Sequence, residues 1–262
     1  MLYWLYDLPS YQFAAVVVGT FIAFGVAGLH LVRWWTRRQV GHRPEPNDTI
    51  SYYFGALVGF YGITLGLISV GVWQAYADAD DKCTMEATTI ESLYRTLGGY
   101  PEPLRSEMQQ RVIAYTQHVI GGSWPAQRRG ERPSGGTAMF NELQKQLFTY
   151  EPQTQGQLAL HQEAIHQFNR TSEYRRLRSL TAGVGLPATM WWVVVLGAAT
   201  TITLTWMFSF ESWRRHVFLT VLYSALIGLL VFLIAALDNP YRGDMGVDPD
   251  AYEHVLSRMK KG

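Results

Sequence analysis

From Thr49 to Ala77 the chain reads TISYYFGALVGFYGITLGLISVGVWQAYA and carries no charged residue. A bilayer core about 30 Å thick is crossed by roughly 20 apolar helical residues, so this run spans it with tilt to spare. Gly55, Gly59, Gly62 and Gly66 recur at spacings of four, three and four and therefore share one helical stripe. A stripe without side chains lets a second helix backbone approach closely. Trp73 extends it one heptad beyond Gly66, and Asp78, Asp80 and Asp81 mark the exit into water. The stripe admits two readings. It is a plain packing face, or it belongs to a helix repeated about a symmetry axis to line a conduit.

Three further uncharged runs accompany it. The first covers about Ser10 to Val32, with His30 near its end and the interface-type aromatics Tyr3, Trp4 and Tyr6 before it. The third lies within Ser179 to Phe210, where Pro187 suits a helix's first turn. The fourth, Val217 to Leu237, stops at Asp238-Asn239-Pro240, a strong helix terminator. The mean hydropathy of −0.01 hides these runs because the middle of the chain is polar. Position along the chain therefore outranks composition. The expected fold is an all-α integral membrane protein with four transmembrane helices and an extramembrane helical domain between spans 2 and 3. The expected boundaries are 1–77 for spans 1 and 2, 78–178 for the helical domain, 179–237 for spans 3 and 4, and 238–262 for a polar tail. The N-terminus lacks the basic region of a cleavable signal, and its apolar run is too long for one.

Residues 78–178 keep helical periodicity without any long period-two alternation. The first helix should continue span 2 unbroken, with Ala87, Ile90, Tyr94 and Leu97 on one face, until Gly98-Gly99 stops it. A second should start at Pro101-Glu102-Pro103, present Leu104, Met108, Val112, Tyr115 and Val119, and end at Gly121-Gly122. Trp124 to Gly136 reads as a loop. A third helix carries Met139 or Phe140 with Leu143 and Leu147. A fourth, from near Pro152, carries Leu158, Ile165 and Phe168. In the tail, a short helix is expected around Ala251 to Met259.

Four spans put both termini and the helical domain on one side of the membrane. The short loops on the other side hold Arg37, Arg38, Arg43, Arg214 and Arg215, with Pro44 and Pro46 breaking the loop from Thr36 to Asp48. The positive-inside rule then places those loops in the cytoplasm, and the helical domain and both termini outside, in a protein of the cell (inner) membrane. Arg170, Arg175, Arg176 and Arg178, just before span 3, oppose that placement.

Asp78, Asp80, Asp81 and Glu86, with Glu91, form an acidic cluster at the mouth of span 2. It is either a ring that concentrates cations in an oligomer or a set of ordinary boundary charges. Asp238 ends span 4 on the side of Arg175, Arg176 and Arg178, which suggests a structural clamp. His161 and His166 stand five apart, roughly 140° round a helix, so they do not form a zincin pair, and Glu163-x-x-His166 lacks the second copy of a di-iron bundle. No metal site and no cofactor are expected. There is no Cys–His pair, nucleophile elbow or phosphate-loop lysine, so an enzyme reading has no residues to stand on. Cys83 is the only cysteine and excludes an intrachain disulfide. A net charge of +1 gives no argument for nucleic acid.

An ordered set of short motifs resembles the bestrophin-like membrane proteins of bacteria and plants, a domain family of unknown function. The set includes Gly59 to Trp73 (GFYGITLGLISVGVW), Glu86-Ala87 with Leu93-Tyr94, Pro103 with Tyr115, and Trp124-Pro125. It continues with Arg175 and Leu177, Leu186-Pro187 with Trp191, and Leu237 to Gly243 (LDNPYRG). Ser123 departs from a position often acidic in such proteins. The resemblance covers nearly the whole chain. It implies a likeness to bestrophins, pentameric anion channels whose helical part lies in the cytosol, which is opposite to the sidedness that the arginines suggest. The expectation is a homo-oligomeric ion channel or pore with span 2 lining the path and the lipid bilayer and inorganic ions as partners. The alternative is a non-conducting membrane scaffold or sensor whose helical domain binds a partner.

Overall fold

The computed structural model describes residues 3–38, 47–131, 135–181 and 185–261. Arg43, Pro44 and Pro46, and part of the loop expected before Gly136, lie outside the described residues. After a short 3-10 turn at Tyr3–Asp7, the helices are α1 (Ser10–Arg38), α2 (Asn47–Leu97), α3 (Leu104–His118), α4 (Trp124–Arg128), α5 (Gly136–Thr149), α6 (Gln155–Thr181), α7 (Ala188–Thr205), α8 (Trp213–Asp238) and α9 (Asp250–Met259). No strand occurs among the described residues. Helices satisfy their own backbone polar groups, which is why apolar segments of this length take that form in lipid.

Among the described residues, four helices are long and apolar enough to cross a membrane: α1, α2, α7 and α8. Only 17% of the most apolar window of α1 or α2 is buried within the chain, against 33% for α8. The rest of those apolar surfaces must meet lipid or another polypeptide, because water would not tolerate so large a patch.

The chain divides into two compact units, Met1–Gln74 with Gly185–Asp238, and Ala75–Val184 with Asn239–Gly262. In the first unit α1 and α8 pack closely through small residues. A Cβ at Gly228 would lie 2.9 Å from the Val18 Cα, and Gly25 faces Ser224 and Thr220. Aromatic donors then tie the helices at depth. The Tyr6 hydroxyl donates to the Ala235 carbonyl at 2.8 Å, the Trp206 indole to the Gly25 carbonyl at 2.9 Å, and the Tyr61 hydroxyl to the Val194 carbonyl at 2.7 Å. Each supplies a partner that hydrocarbon cannot. Pro187 stands immediately before α7, where its missing N–H costs no helical bond.

The second unit is a helical domain with one core. Ala79, Cys83, Ala87, Ile90, Leu93 and Leu97 of α2 meet Met108, Val112 and Tyr115 of α3, Phe140, Leu143 and Leu147 of α5, and Ala164 and Phe168 of α6. Fully burying a side chain of the Leu or Phe class contributes roughly 1.5–3 kcal/mol, so this face holds the unit together.

Three local expectations change. Gly121-Gly122 does not end the second helix of the domain. The chain passes through a π-helical turn, Val119–Ser123, straight into α4. Trp124-Pro125 therefore opens a helix rather than a loop, because Trp124 is buried and its indole donates to the Val247 carbonyl at 3.1 Å. α6 turns His161, Ala164, Phe168, Thr171 and Arg178 inward, while Leu158 is exposed. A search for apolar residues alone misplaces that face. The polar tail also packs inward, with Tyr241, Val247 and, from α9, Tyr252, Val255 and Met259 in the core.

Candidate functional site

α2 is one continuous helix from Asn47 to Leu97, and its residues sort by face. Tyr61, Leu65 and Val72 point into the first unit and are buried. At 100° per residue, Gly55, Gly59, Gly62, Gly66 and Trp73 lie roughly a third of a turn away from that stripe. All five are exposed. A Cβ added at any of the four glycines would find no atom within 4 Å. The contrast with Gly25, Gly197 and Gly228, which touch neighbouring helices of the same chain, is sharp. The notched face of α2 is thus left open by its own subunit. Large apolar side chains flank it, among them Phe60 (74% exposed), Ile63 and Leu67.

Beyond Trp73 the acidic residues divide. Asp78, Asp80 and Asp81 are exposed, and Asp80 falls one heptad beyond Trp73, on the glycine line. Glu86 does not join them. It belongs to the buried row Ala79, Cys83, Glu86, Ile90 and is wholly inaccessible. Its partner is Arg178 of α6, whose Nε lies 2.7 Å from Oε2, and both side chains are almost completely withdrawn from water.

The pair is saturated with further hydrogen bonds. The Tyr115 hydroxyl donates to Glu86 Oε1 at 2.8 Å and the Tyr252 hydroxyl to Oε2 at 3.0 Å. Arg178 Nη1 donates to Gln127 Oε1 at 2.8 Å. Its guanidinium also lies 5.8 Å from the centroid of the Trp124 ring and 5.9 Å from that of Tyr252. Burial, and then the charge of Glu86, hold both tyrosine pKa values well above the ordinary range, so the two hydroxyls stay protonated donors. Burial alone would lower the Arg178 pKa. The Glu86 carboxylate reverses that and holds it well above its usual value. A buried pair is tolerated only when the remaining lone pairs and protons find partners, which these contacts supply. The arrangement ties α2, α3, α4, α6 and α9 at one point and offers no open position for a substrate.

Asp238, Arg175 and Arg178, expected to form a clamp, all have hydrogen-bond partners. Asp238 accepts the Leu186 backbone N–H and, at 3.3 Å, the Trp191 indole N–H. Arg178 is occupied by Glu86, Arg175 donates to the Thr137 hydroxyl at 2.6 Å, and Arg176 is exposed. His161 Nδ1 is hydrogen-bonded to the Tyr100 hydroxyl at 2.7 Å, and burial lowers its pKa. His166 is exposed and only near Glu163, at 3.8 Å. Among the described residues, no group of three His, Cys, Asp or Glu is placed to hold a metal.

The Bestrophin-like domain profile matches residues 9–252, most of the chain. The chain belongs to the Bestrophin-like family. Solved structures agree on the fold of this Bestrophin-like protein. A crystal structure of a bacterial bestrophin homologue from Klebsiella pneumoniae, carrying a point mutation, superposes with a TM-score of 0.66 at 12% identity, covering 95% of this chain and 99% of that one. Another mutant of a Klebsiella pneumoniae bestrophin homologue gives 0.68 at 11%, covering 95% and 99%. A crystal structure described as a membrane protein gives 0.70 at 10%, covering 93% and 96%. Identities this low establish the shared fold alone. No curated protein matches the sequence. Membership and the apolar helices together make this a membrane protein.

Proposed function

We propose that this Bestrophin-like protein is a homo-oligomeric ion channel of the cell membrane, with α2 lining the path. One observation carries the proposal. The only long helix whose glycine row is left entirely open by its own chain, among the described residues, is also the helix that leads into exposed aspartates. Copies arranged about an axis would meet along that row, with small residues setting how closely they approach. Membership of a family named for its likeness to bestrophins supports the same reading. Exposed Asp78, Asp80 and Asp81 would then ring one end of the path and raise the local concentration of cations.

Recording in planar bilayers from the purified full chain tests this. Discrete conductance steps are expected, with a preference for cations that weakens when Asp78, Asp80 and Asp81 are changed together to Asn. Absence of any conductance across ionic conditions, with a monomer in detergent, would overturn the channel and leave a membrane scaffold in its place.

A further inference from the structure

In the first unit, α1 and the start of α8 line an open cavity of about 420 Å³, within the size range of small-molecule sites. Its described lining is His30, Arg33, Trp34, Arg38 and Trp213. These are two guanidiniums, an imidazole and two indoles, with no carboxylate. On α1 the four residues stand at i, i+3, i+4 and i+8, so the helix itself gathers them on one side.

The aromatic rings hold the cations in place. The Arg33 guanidinium lies 4.1 Å from the centroid of the Trp213 ring, and that of Arg38 lies 3.7 Å from the Trp34 ring. A guanidinium held over an indole keeps its charge and its N–H donors, which suit an oxyanion. His30 meets Trp213 edge-on at 4.9 Å. Its Nδ1 lies 2.8 Å from the Val26 carbonyl, so Nδ1 carries the hydrogen and donates it there. Among the described residues neither Arg33 nor Arg38 lies within 4.0 Å of a carboxylate. The nearby Glu211 instead stands 3.8 Å from Arg215. Among the described residues, positive charge is therefore concentrated here without a carboxylate partner. The cavity sits where the apolar run of α1 gives way to arginine and tryptophan, the composition of a membrane–water boundary.

We propose that this cavity binds a phosphate-bearing anion, gripped by Arg33 and Arg38 and flanked by the indoles of Trp34 and Trp213. Two sources carry that chemistry at a membrane surface, the headgroup of an anionic phospholipid and free phosphate. The site is independent of whether the protein conducts.

The test uses the purified full chain in detergent, titrated with short-chain phosphatidylglycerol, with short-chain phosphatidylcholine, or with inorganic phosphate, and read by isothermal calorimetry. Saturable binding is expected, weakened roughly tenfold or more in Arg33→Gln/Arg38→Gln, because each lost contact is a charge-assisted hydrogen bond. Phosphatidylglycerol binding without competition by inorganic phosphate identifies the lipid source, and competition identifies the free anion. Arg38→Gln alone, at an exposed position, keeps the test interpretable if the double variant does not fold. Binding that is equal for phosphatidylcholine and phosphatidylglycerol and absent for phosphate, or affinity unchanged in Arg38→Gln and in the double variant, overturns the proposal.

Discussion

Glu86 and Arg178 stand 92 residues apart in sequence and meet at 2.7 Å in the middle of the helical domain, both withdrawn from water. Neither residue is available to a pore mouth or a membrane-edge clamp, and their pairing explains why. A carboxylate on the inward row of α2 and a guanidinium on the inward row of α6 satisfy each other, and Tyr115, Tyr252 and Gln127 complete the set.

Removing one partner should therefore cost far more than removing both. Glu86→Gln or Arg178→Gln is expected to destabilise the domain by about 3–5 kcal/mol, the usual cost of an unpaired buried charge. The double variant Glu86→Gln/Arg178→Gln should recover part of that loss. Thermal unfolding of the purified chain in detergent measures both, and single-variant midpoints indistinguishable from wild type would contradict the pairing.

The glycines should divide by neighbourhood. Gly228→Leu is expected to lower the unfolding midpoint, because a Cβ there presses on the Val18 backbone. Gly62→Leu should leave the unfolding of the isolated subunit nearly unchanged, since its Cβ enters open space. It should instead alter assembly and conductance. Size-exclusion profiles alongside melting curves separate the two effects. Equal destabilisation by both would place the open face of α2 against its own chain.

Much of this was legible in the sequence, and the reasons are local. Length and freedom from charge are read from each apolar run separately, so the helices α1, α2, α7 and α8 stand out, and Pro187 and Asn239-Pro240 punctuate them. Helix α5 shows its face through Phe140, Leu143 and Leu147. What stayed hidden depends on partners distant in sequence. Tyr252 sits in a polar tail and is fully buried because its hydroxyl reaches Glu86. α4 follows a Gly-Gly pair with no intervening loop, and its Trp124 finds the Val247 carbonyl. The inward face of α6 contains a histidine and an arginine, which no count of apolar residues selects. The position of Glu86 between Ala79, Cys83, Ala87 and Ile90 was readable at helical spacing. Its proximity to three aspartates favoured a different grouping.

His161 gives the domain an acid-sensitive element. Its pKa is lowered from 6.5 in the folded chain, chiefly by burial. Above 6.5 both folded and unfolded forms are neutral, and the contribution of the neutral ring is fully present. As pH falls below 6.5 the unfolded chain takes up a proton first, and stability is lost down to the folded pKa. Melting midpoints measured from pH 7.5 to 5 should fall less steeply in His161→Gln than in wild type. Parallel curves would show that His161 does not supply this limb.

The claim that α2 borders an ion path is tested most directly by single-channel recording during thiol modification. Gly59→Cys, Gly66→Cys and, as a buried control, Leu65→Cys are introduced separately, native Cys83 being buried. A charged, water-soluble methanethiosulfonate is then added while current flows. The expected result is a prompt, irreversible change in current at Gly59→Cys and Gly66→Cys and none at Leu65→Cys. Unaltered current at both glycine positions in channels that conduct would contradict the account.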